Sequence, residues 1–236
     1  MRRFFVSVAA ACEGAPDEDA PYAEWQAWSC AHPEEFWAEV WRFTGICKSE
    51  PKPSWTSVVE RADRMRPPGP EGPEWFRGAS LNFAEELLRR RDDGIAIVAT
   101  AEGNGRRELS FGGLAGKASW CAAALAREGV GEGDRVAGFM PNVPETVLSM
   151  LGAAWIGATW TSCSPDFGVK GVLDRFGQVE PRILVCVDGY RYAGKEIDCL
   201  ERVREIADAI PSLQRVVVVP FLRKELTTAD LVGIRG

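Results

Sequence analysis

The sequence predicts an open, mostly parallel α/β sheet of Rossmann-like form, covered by helices and preceded by a tryptophan-rich, mainly helical N-terminal cap. Three observations carry this. From about residue 80 onward helical and strand patterns alternate, as in chains that build a parallel sheet. The strand candidates are apolar at successive residues rather than at every second one, the mark of strands buried on both faces. Six of the nine tryptophans (25, 28, 37, 41, 55 and 75) fall before residue 80, which sets that region apart. The organisation expected is a cap over 1–79, an α/β region over 80–222 and a tail over 223–236 with no assigned pattern.

The chain opens on "MRRFFVSVAAAC", two arginines and a short apolar run. This has the outline of a miniature secretory leader, but the apolar run is short and acidic "EGAPDED" follows at once. "HPEEFWAEVWRF" reads as a helix with Pro33 in its first turn and Glu34 and Glu35 at the positive end of the dipole. Phe36, Trp37, Val40 and Trp41 share one face, read as core packing rather than a sugar-binding stripe. "LNFAEELLRRR" predicts a helix with Phe83, Leu87 and Leu88 inward, and "GIAIVA" a short strand. "LSFGGLAGKASWCAAALAREG" predicts a helix burying Phe111, Leu114, Ala118, Cys121, Ala122 and Leu125 and stopping at Gly129.

"DRVAGFM" follows as a strand. "PNVPETVLSMLGAAWIG" is a helix entered through Asn142 and Pro144, with Val147, Leu148, Leu151 and Trp155 buried. "ATWTSC" (158–163), "ILVCV" (183–187) and "RVVVVP" (215–220) complete the strands. Between the last two, Ile197, Leu200, Val203, Ile206 and Ile210 recur at helical spacing. "SPDFGVKGVLDRFGQVEPR" (164–182) reads as a crossover helix. Asp166 is its expected cap, Val172, Leu173, Phe176 and Val179 its apolar stripe, and Pro181 its end.

Composition excludes several function classes. A net charge of -6 and a pI near 5.1 leave no basic surface for nucleic acid. No apolar run approaches the roughly 18 residues of a membrane span. Seven cysteines show no C-x-x-C pair, and the single histidine, His32, precedes Pro33 at a helix start. A zinc or other metal site is therefore not expected, a His-dependent triad has no candidate, and no catalytic residue is assigned. Unpaired cysteines inside apolar runs suit a reducing, cytoplasmic compartment.

Loops after strands are where an open parallel sheet carries its chemistry. "GVGEGDR" (129–135) precedes a strand and lacks dinucleotide spacing, so it reads as a turn. "GYRYAGKE" (189–196) follows a strand and is expected to open a helix, with Gly189, four residues, then Gly194 and Lys195. That is the frame of a phosphate-cradling loop. Glu196, however, stands where a hydroxyl would meet Mg²⁺, and Tyr190, Arg191 and Tyr192 are bulky for such a loop. Three readings stay open here: a surface loop, a nucleotide loop, or a looser phosphate contact by Arg191 and Lys195.

Taken together, "WSCAHPEEFWAEVW", "WFRGASLNFAEELLR", "GDRVAGFMPNVPETVLSMLGAAWIGATWTSCSPDFG", "YAGKE" and "LQRVVVVPF" resemble, in order, the N-terminal part of the acetoacetyl-CoA synthetase family. That family belongs with acetyl-CoA synthetase in the acyl-adenylate-forming superfamily. The resemblance covers residues 21–222. It implies activation of a carboxylic acid by Mg-ATP to an acyl-adenylate, with loss of pyrophosphate, followed by displacement of AMP by the CoA thiol. The family's phosphate loop ending in lysine, its Thr-Glu metal motif, its ribose aspartate and its C-terminal lysine have no counterpart here, since they lie downstream in relatives. The resemblance therefore implies an incomplete portion of a larger fold, holding no cofactor by itself and not catalytically competent alone.

It also implies that Arg191 and Lys195 lie near the CoA nucleotide phosphates, in a loop one residue longer than in acetyl-CoA synthetase. "MRRFF" is similar to the end of an arginine- and phenylalanine-containing helix that precedes the family's cap. "LRKELTTADLVGIRG" departs from the family pattern. The alternatives are a self-contained nucleotide- or CoA-binding module, or one chain of a split ligase completed by a complementary downstream chain. Sheet surfaces left uncovered in an incomplete fold imply self-association.

Overall fold

The computed structural model describes residues 1–46, 55–63 and 71–234, which leaves Cys47 outside the described residues. The chain divides into two units, Met1–Leu81 and Asn82–Gly236.

In the first unit, helices α1 (Arg2–Ala11), α2 (Tyr22–Ala31) and α3 (Pro33–Thr44) accompany a two-stranded antiparallel ribbon of β1 (Ser57–Glu60) and β2 (Glu74–Arg77). Aromatic packing holds it. Phe5 stacks on Trp25 at 4.4 Å, Phe4 meets Phe36 at 5.8 Å edge-on, and Trp41 lies 4.6 Å from Phe76. Pro33 occupies the first turn of α3, and Gly45 ends it in the left-handed region at φ 69, where a side chain would be strained. Trp41 is buried as expected, but Trp37 is 39% exposed at the rim, edge-on to Trp75 at 5.7 Å. His32 takes the N-cap position without a side-chain capping bond. Its ring instead stacks on Trp28 at 5.5 Å.

The second unit begins with α4 (Phe83–Leu87), followed by a separate antiparallel ribbon of β3 (Ile95–Ala101) and β4 (Gly105–Ser110). Two expectations fail here. The helix over "LNFAEELLRRR" is only five residues long, so its stripe does not persist: Leu88 is buried, whereas Phe83 and Leu87 are exposed. "GIAIVA" pairs with β4 rather than joining the parallel sheet, because the turn at Glu102–Asn104 returns the chain at once.

From there the alternation is regular: α5 (Phe111–Arg127), β5 (Arg135–Phe139), α6 (Pro144–Trp155), β6 (Thr159–Cys163), α7 (Val169–Val179) and β7 (Ile183–Val187). A hairpin of β8 (Gly189–Tyr192) and β9 (Lys195–Asp198) then precedes α8 (Leu200–Ala209) and β10 (Arg215–Val219). Strands β10, β7, β5 and β6 lie side by side in that order, all parallel. Every residue of β7 is buried, as its unbroken apolar run requires. β10 has the same kind of run but stands at the edge, with Val217 40% exposed.

The core gathers Val136, Phe139, Val172, Phe176, Leu184, Val203 and Ile206 between strands and helices. Ser110 caps α5 by accepting from Gly113 N–H at 3.1 Å, and α5 and α6 pack so closely that a Cβ on Gly152 would lie 2.8 Å from that of Cys121. Asp166 does not cap α7. The cap residue is Gly168, and Asp166 accepts instead from the Ser164 hydroxyl at 2.9 Å. Ile197 belongs to β9, so α8 starts three residues later than the spacing predicts.

Six described cysteines are free thiols. Burial pushes Cys199 up to about 11 and raises Cys186 as well, so both act as small apolar groups. Among the described residues no helix is long and apolar enough to cross a membrane, and no cluster of three or more metal-ligating side chains occurs.

Candidate functional site

β5 and β7 are neighbours whose onward connections leave in opposite directions, β5 toward β6 and β7 toward β10. Ligands of open α/β sheets bind beyond the carboxyl ends of strands at such a switch point. Three features converge on this end of the sheet: the 164–168 loop, the β8–β9 hairpin and the segment after β10.

Asp188 directly follows β7 and has no exposed surface. One carboxylate oxygen accepts from the Phe221 and Leu222 amides at 2.6 and 3.0 Å, and the other from the Arg223 amide at 2.8 Å. The Arg223 guanidinium reaches the same carboxylate at 3.4 Å and Asp198 at 2.6 Å. A buried charge is tolerable only with such a full set of donors. The expected tail is thereby tied in, and Arg204 of α8 adds bonds to the Asp230 and Val232 carbonyls at 2.8 and 2.9 Å.

Gly189 opens the hairpin where a Cβ would lie 2.4 Å from the Ile197 carbonyl, so only glycine fits. The tip is the two-residue turn Ala193-Gly194, at φ 51 and 74, the primed turn that matches strand twist. The register pairs Arg191 with Glu196 and Tyr192 with Lys195. Directly paired residues share a face and adjacent ones alternate. Arg191 and Lys195 therefore stand on opposite faces of the ribbon.

Arg191 donates to Glu196 from Nε at 3.1 Å and to Asn104 at 3.3 Å, and the Gly194 amide donates to Glu102. The β3–β4 turn thus holds the hairpin tip. Lys195 is exposed and has no ion pair among the described residues. A phosphate could meet Lys195 directly, whereas at Arg191 it would have to replace Glu196.

Behind the tip, Tyr190 is buried and shares a cluster with Asp166 and Arg202. Hydrogen bonds from Tyr190 and Ser164 hold the Asp166 carboxyl below its ordinary value, and burial with the Asp166 bond pushes the Tyr190 phenol up. Arg202 donates to the Pro165 carbonyl at 2.6 Å. The 164–168 loop is clipped to the hairpin and α8 by this cluster. The residues doing so were not read from the sequence, since Tyr190 and Arg202 approach Asp166 only once β6, β7 and α8 are in place. Asp188 did have a local signal, an acidic residue before glycine at the end of an apolar strand.

The hairpin also corrects the expected strand-to-helix loop. Lys195 lies in β9 and α8 begins only at Leu200, so the Gly189–Lys195 segment does not run directly into a helix. The strand–loop–helix frame of a phosphate-cradling nucleotide loop is replaced there by a hairpin.

A family model described as AMP-binding enzyme matches residues 84–232, and one described as acetyl-coenzyme A synthetase N-terminus matches residues 22–87. The chain belongs to the AMP-binding enzyme family. Within it, acetoacetyl-CoA synthetase from Macaca fascicularis is 39% identical over 224 residues, which is 94% of this chain and 32% of that protein. The protein of that name from Rhizobium meliloti (strain 1021) is 40% identical over 202 residues, 86% of this chain and 29% of its own length. The structure of acetoacetyl-CoA synthetase from Streptomyces lividans superposes with a TM-score of 0.86 at 37% identity, covering 99% of this chain and 34% of that one. The chain thus matches the N-terminal region of acetoacetyl-CoA synthetases and spans about a third of their length.

Proposed function

We propose that this chain is the N-terminal portion of an acetoacetate–CoA ligase, which converts acetoacetate, ATP and CoA to acetoacetyl-CoA, AMP and pyrophosphate in the cytoplasm. The observation that supports this is the match of nearly the whole chain to acetoacetyl-CoA synthetases, at 37% identity and a TM-score of 0.86 for one of them. In this reading the chain supplies the cap and the first α/β region. ATP, when bound, would supply the adenylyl group that activates the carboxylate, with pyrophosphate as leaving group, on residues beyond the region this chain matches. No set of three acidic, cysteine or histidine side chains among the described residues fits Mg²⁺.

The chain's own part is to hold CoA. Lys195 meets one nucleotide phosphate, and Arg191, exchanging Glu196 for a phosphate oxygen, meets another. Their opposite faces suit the two separated phosphate groups of CoA, the bridging pyrophosphate and the ribose phosphate, rather than a single group.

Incubation of the purified chain with acetoacetate, Mg-ATP and CoA should release AMP only at the no-enzyme rate; release above it would overturn the need for a completing chain. Titration calorimetry should show weak CoA binding that Lys195→Ala reduces several-fold. ATP binding that depends on Lys195 would instead identify a self-contained nucleotide module.

A further inference from the structure

We infer that the β8–β9 hairpin is a guarded phosphomonoester site, in which Glu196 and Glu102 occupy the donors that a doubly charged phosphate takes over. Glu196 thereby decides which phosphate of CoA meets Arg191; that last step rests on the ligase reading above.

Arg191 has one usable edge. On the Nη1 side its guanidinium donates to Asn104 at 3.3 Å, and a Cβ on Gly103 would lie 2.5 Å from that nitrogen. The β3–β4 turn therefore closes that side. The opposite edge, Nε and Nη2, is a fork able to meet two oxygens of one anion at once. Glu196 sits on it with a single oxygen, Oε1, which accepts from the two nitrogens at 3.1 and 2.5 Å. The Glu196 side chain is 61% exposed, and an ion pair so open to water is weak. The Gly194 amide at the tip is held in the same way, by the Glu102 carboxylate of the β3–β4 turn. Arg191, Lys195, Glu196 and Glu102 cancel in charge, so an anion enters by exchange and not by attraction to a net positive field.

Exchange sets a threshold. Replacing the Glu196 carboxylate by another singly charged group swaps like for like. The bridging phosphates of CoA carry a single negative charge apiece and gain nothing by it. The ribose phosphate is a monoester, with a charge of about −1.5 to −2 at pH 7 and three terminal oxygens. Two of those oxygens can fill the fork that Glu196 fills with one. Arg191 is thus the reader of the ribose phosphate. Lys195, on the other face of the ribbon and without an ion pair among the described residues, is left for the bridging phosphates.

Calorimetry on the whole purified chain, at neutral pH and low ionic strength, tests this with CoA, dephospho-CoA and inorganic phosphate. CoA should bind about fivefold tighter than dephospho-CoA. Arg191→Ala should erase that ratio, whereas Lys195→Ala should weaken both ligands alike. Glu196→Gln keeps the shape and an acceptor oxygen but removes the charge. It should tighten CoA and phosphate roughly threefold, leave dephospho-CoA nearly unmoved, and lose its effect in the Arg191→Ala background. Glu102→Gln should give a smaller gain of the same sign. A misfolded variant cannot imitate a gain, and a wild type too weak to titrate does not hide the answer, since binding must then emerge in Glu196→Gln. Affinities for CoA and phosphate that stay level or fall in Glu196→Gln would overturn the guard. An equal gain for CoA and dephospho-CoA would overturn the choice of the monoester. Should CoA bind no variant while phosphate still gains from Glu196→Gln through Arg191, the ligase reading falls and the guard stands; Lys195-dependent CoA binding that ignores Glu196 does the reverse.

Discussion

At Asp188 a single carboxylate organises the chain's return from β10. Three backbone amides and the Arg223 guanidinium converge on a side chain with no solvent contact. Removing it strands those donors, and Asp188→Ala should cost about 3 kcal/mol, read as a lower urea midpoint at unchanged slope. Asp188→Asn keeps one acceptor oxygen and should lose less. The neighbouring carboxyls give a pH signature. Burial pushes Asp198 up, but hydrogen bonds from Arg223 and the Leu200 amide outweigh it, and its value in the folded chain lies below the ordinary one. Asp166 and Asp230 are held down by their hydrogen bonds to Tyr190, Ser164 and Thr227. A depressed carboxyl adds stability above its unfolded value of about 4 and loses it as pH falls through the folded value. Urea midpoints should therefore hold from pH 7 to 5 and drop toward pH 3, with a shallower drop in Asp198→Asn.

The pair α5–α6 shows what a helix contact demands of its sequence. Gly152 lets α6 approach α5 until a Cβ would sit 2.9 Å from the Cys121 sulfur and 3.0 Å from the Ala122 amide. Gly152→Val should cost about 1–3 kcal/mol by overpacking, checked by thermal melting against the exposed-site control Gly116→Ala. Elements of this kind were legible from spacing alone: α5 runs to Arg127 before Gly129 at φ 79, and α3 starts at Pro33. Elements defined by pairing were not. "GIAIVA" reads as a parallel strand until the turn at Gly103 folds β4 onto it, and "GYRYAGKE" reads as a loop into a helix until Ala193-Gly194 makes it a hairpin. Periodicity reports which face is buried, not which partner a strand meets. Arg191 and Lys195 were found as cations near a strand end, but their opposite orientation follows from the register of β8 on β9.

For the molecule as a whole, an edge strand whose Val217 is 40% exposed, beside an apolar groove lined by Leu125, Leu148 and Val219, is a site for unwanted pairing. The isolated chain should associate as its concentration rises in sedimentation runs, and Val217→Lys should shift it toward monomer; a concentration-independent monomer would count against this. The sequence pointed to this liability through the uncovered sheet surfaces that an incomplete fold implies, while the face left bare could be known only from the crossovers. The Asp188 cap carries a further consequence for how the chain can be cut or made. Its donors come from residues 221–223, immediately past the last strand, so a ribosome that has released β10 but not Arg223 holds a sheet with an unanswered buried carboxylate. An expression boundary drawn at Val219 would freeze the chain in that state. One drawn after Ile234 would include the whole clasp, and the difference should be seen as protease resistance gained over fifteen residues that contain no regular secondary structure.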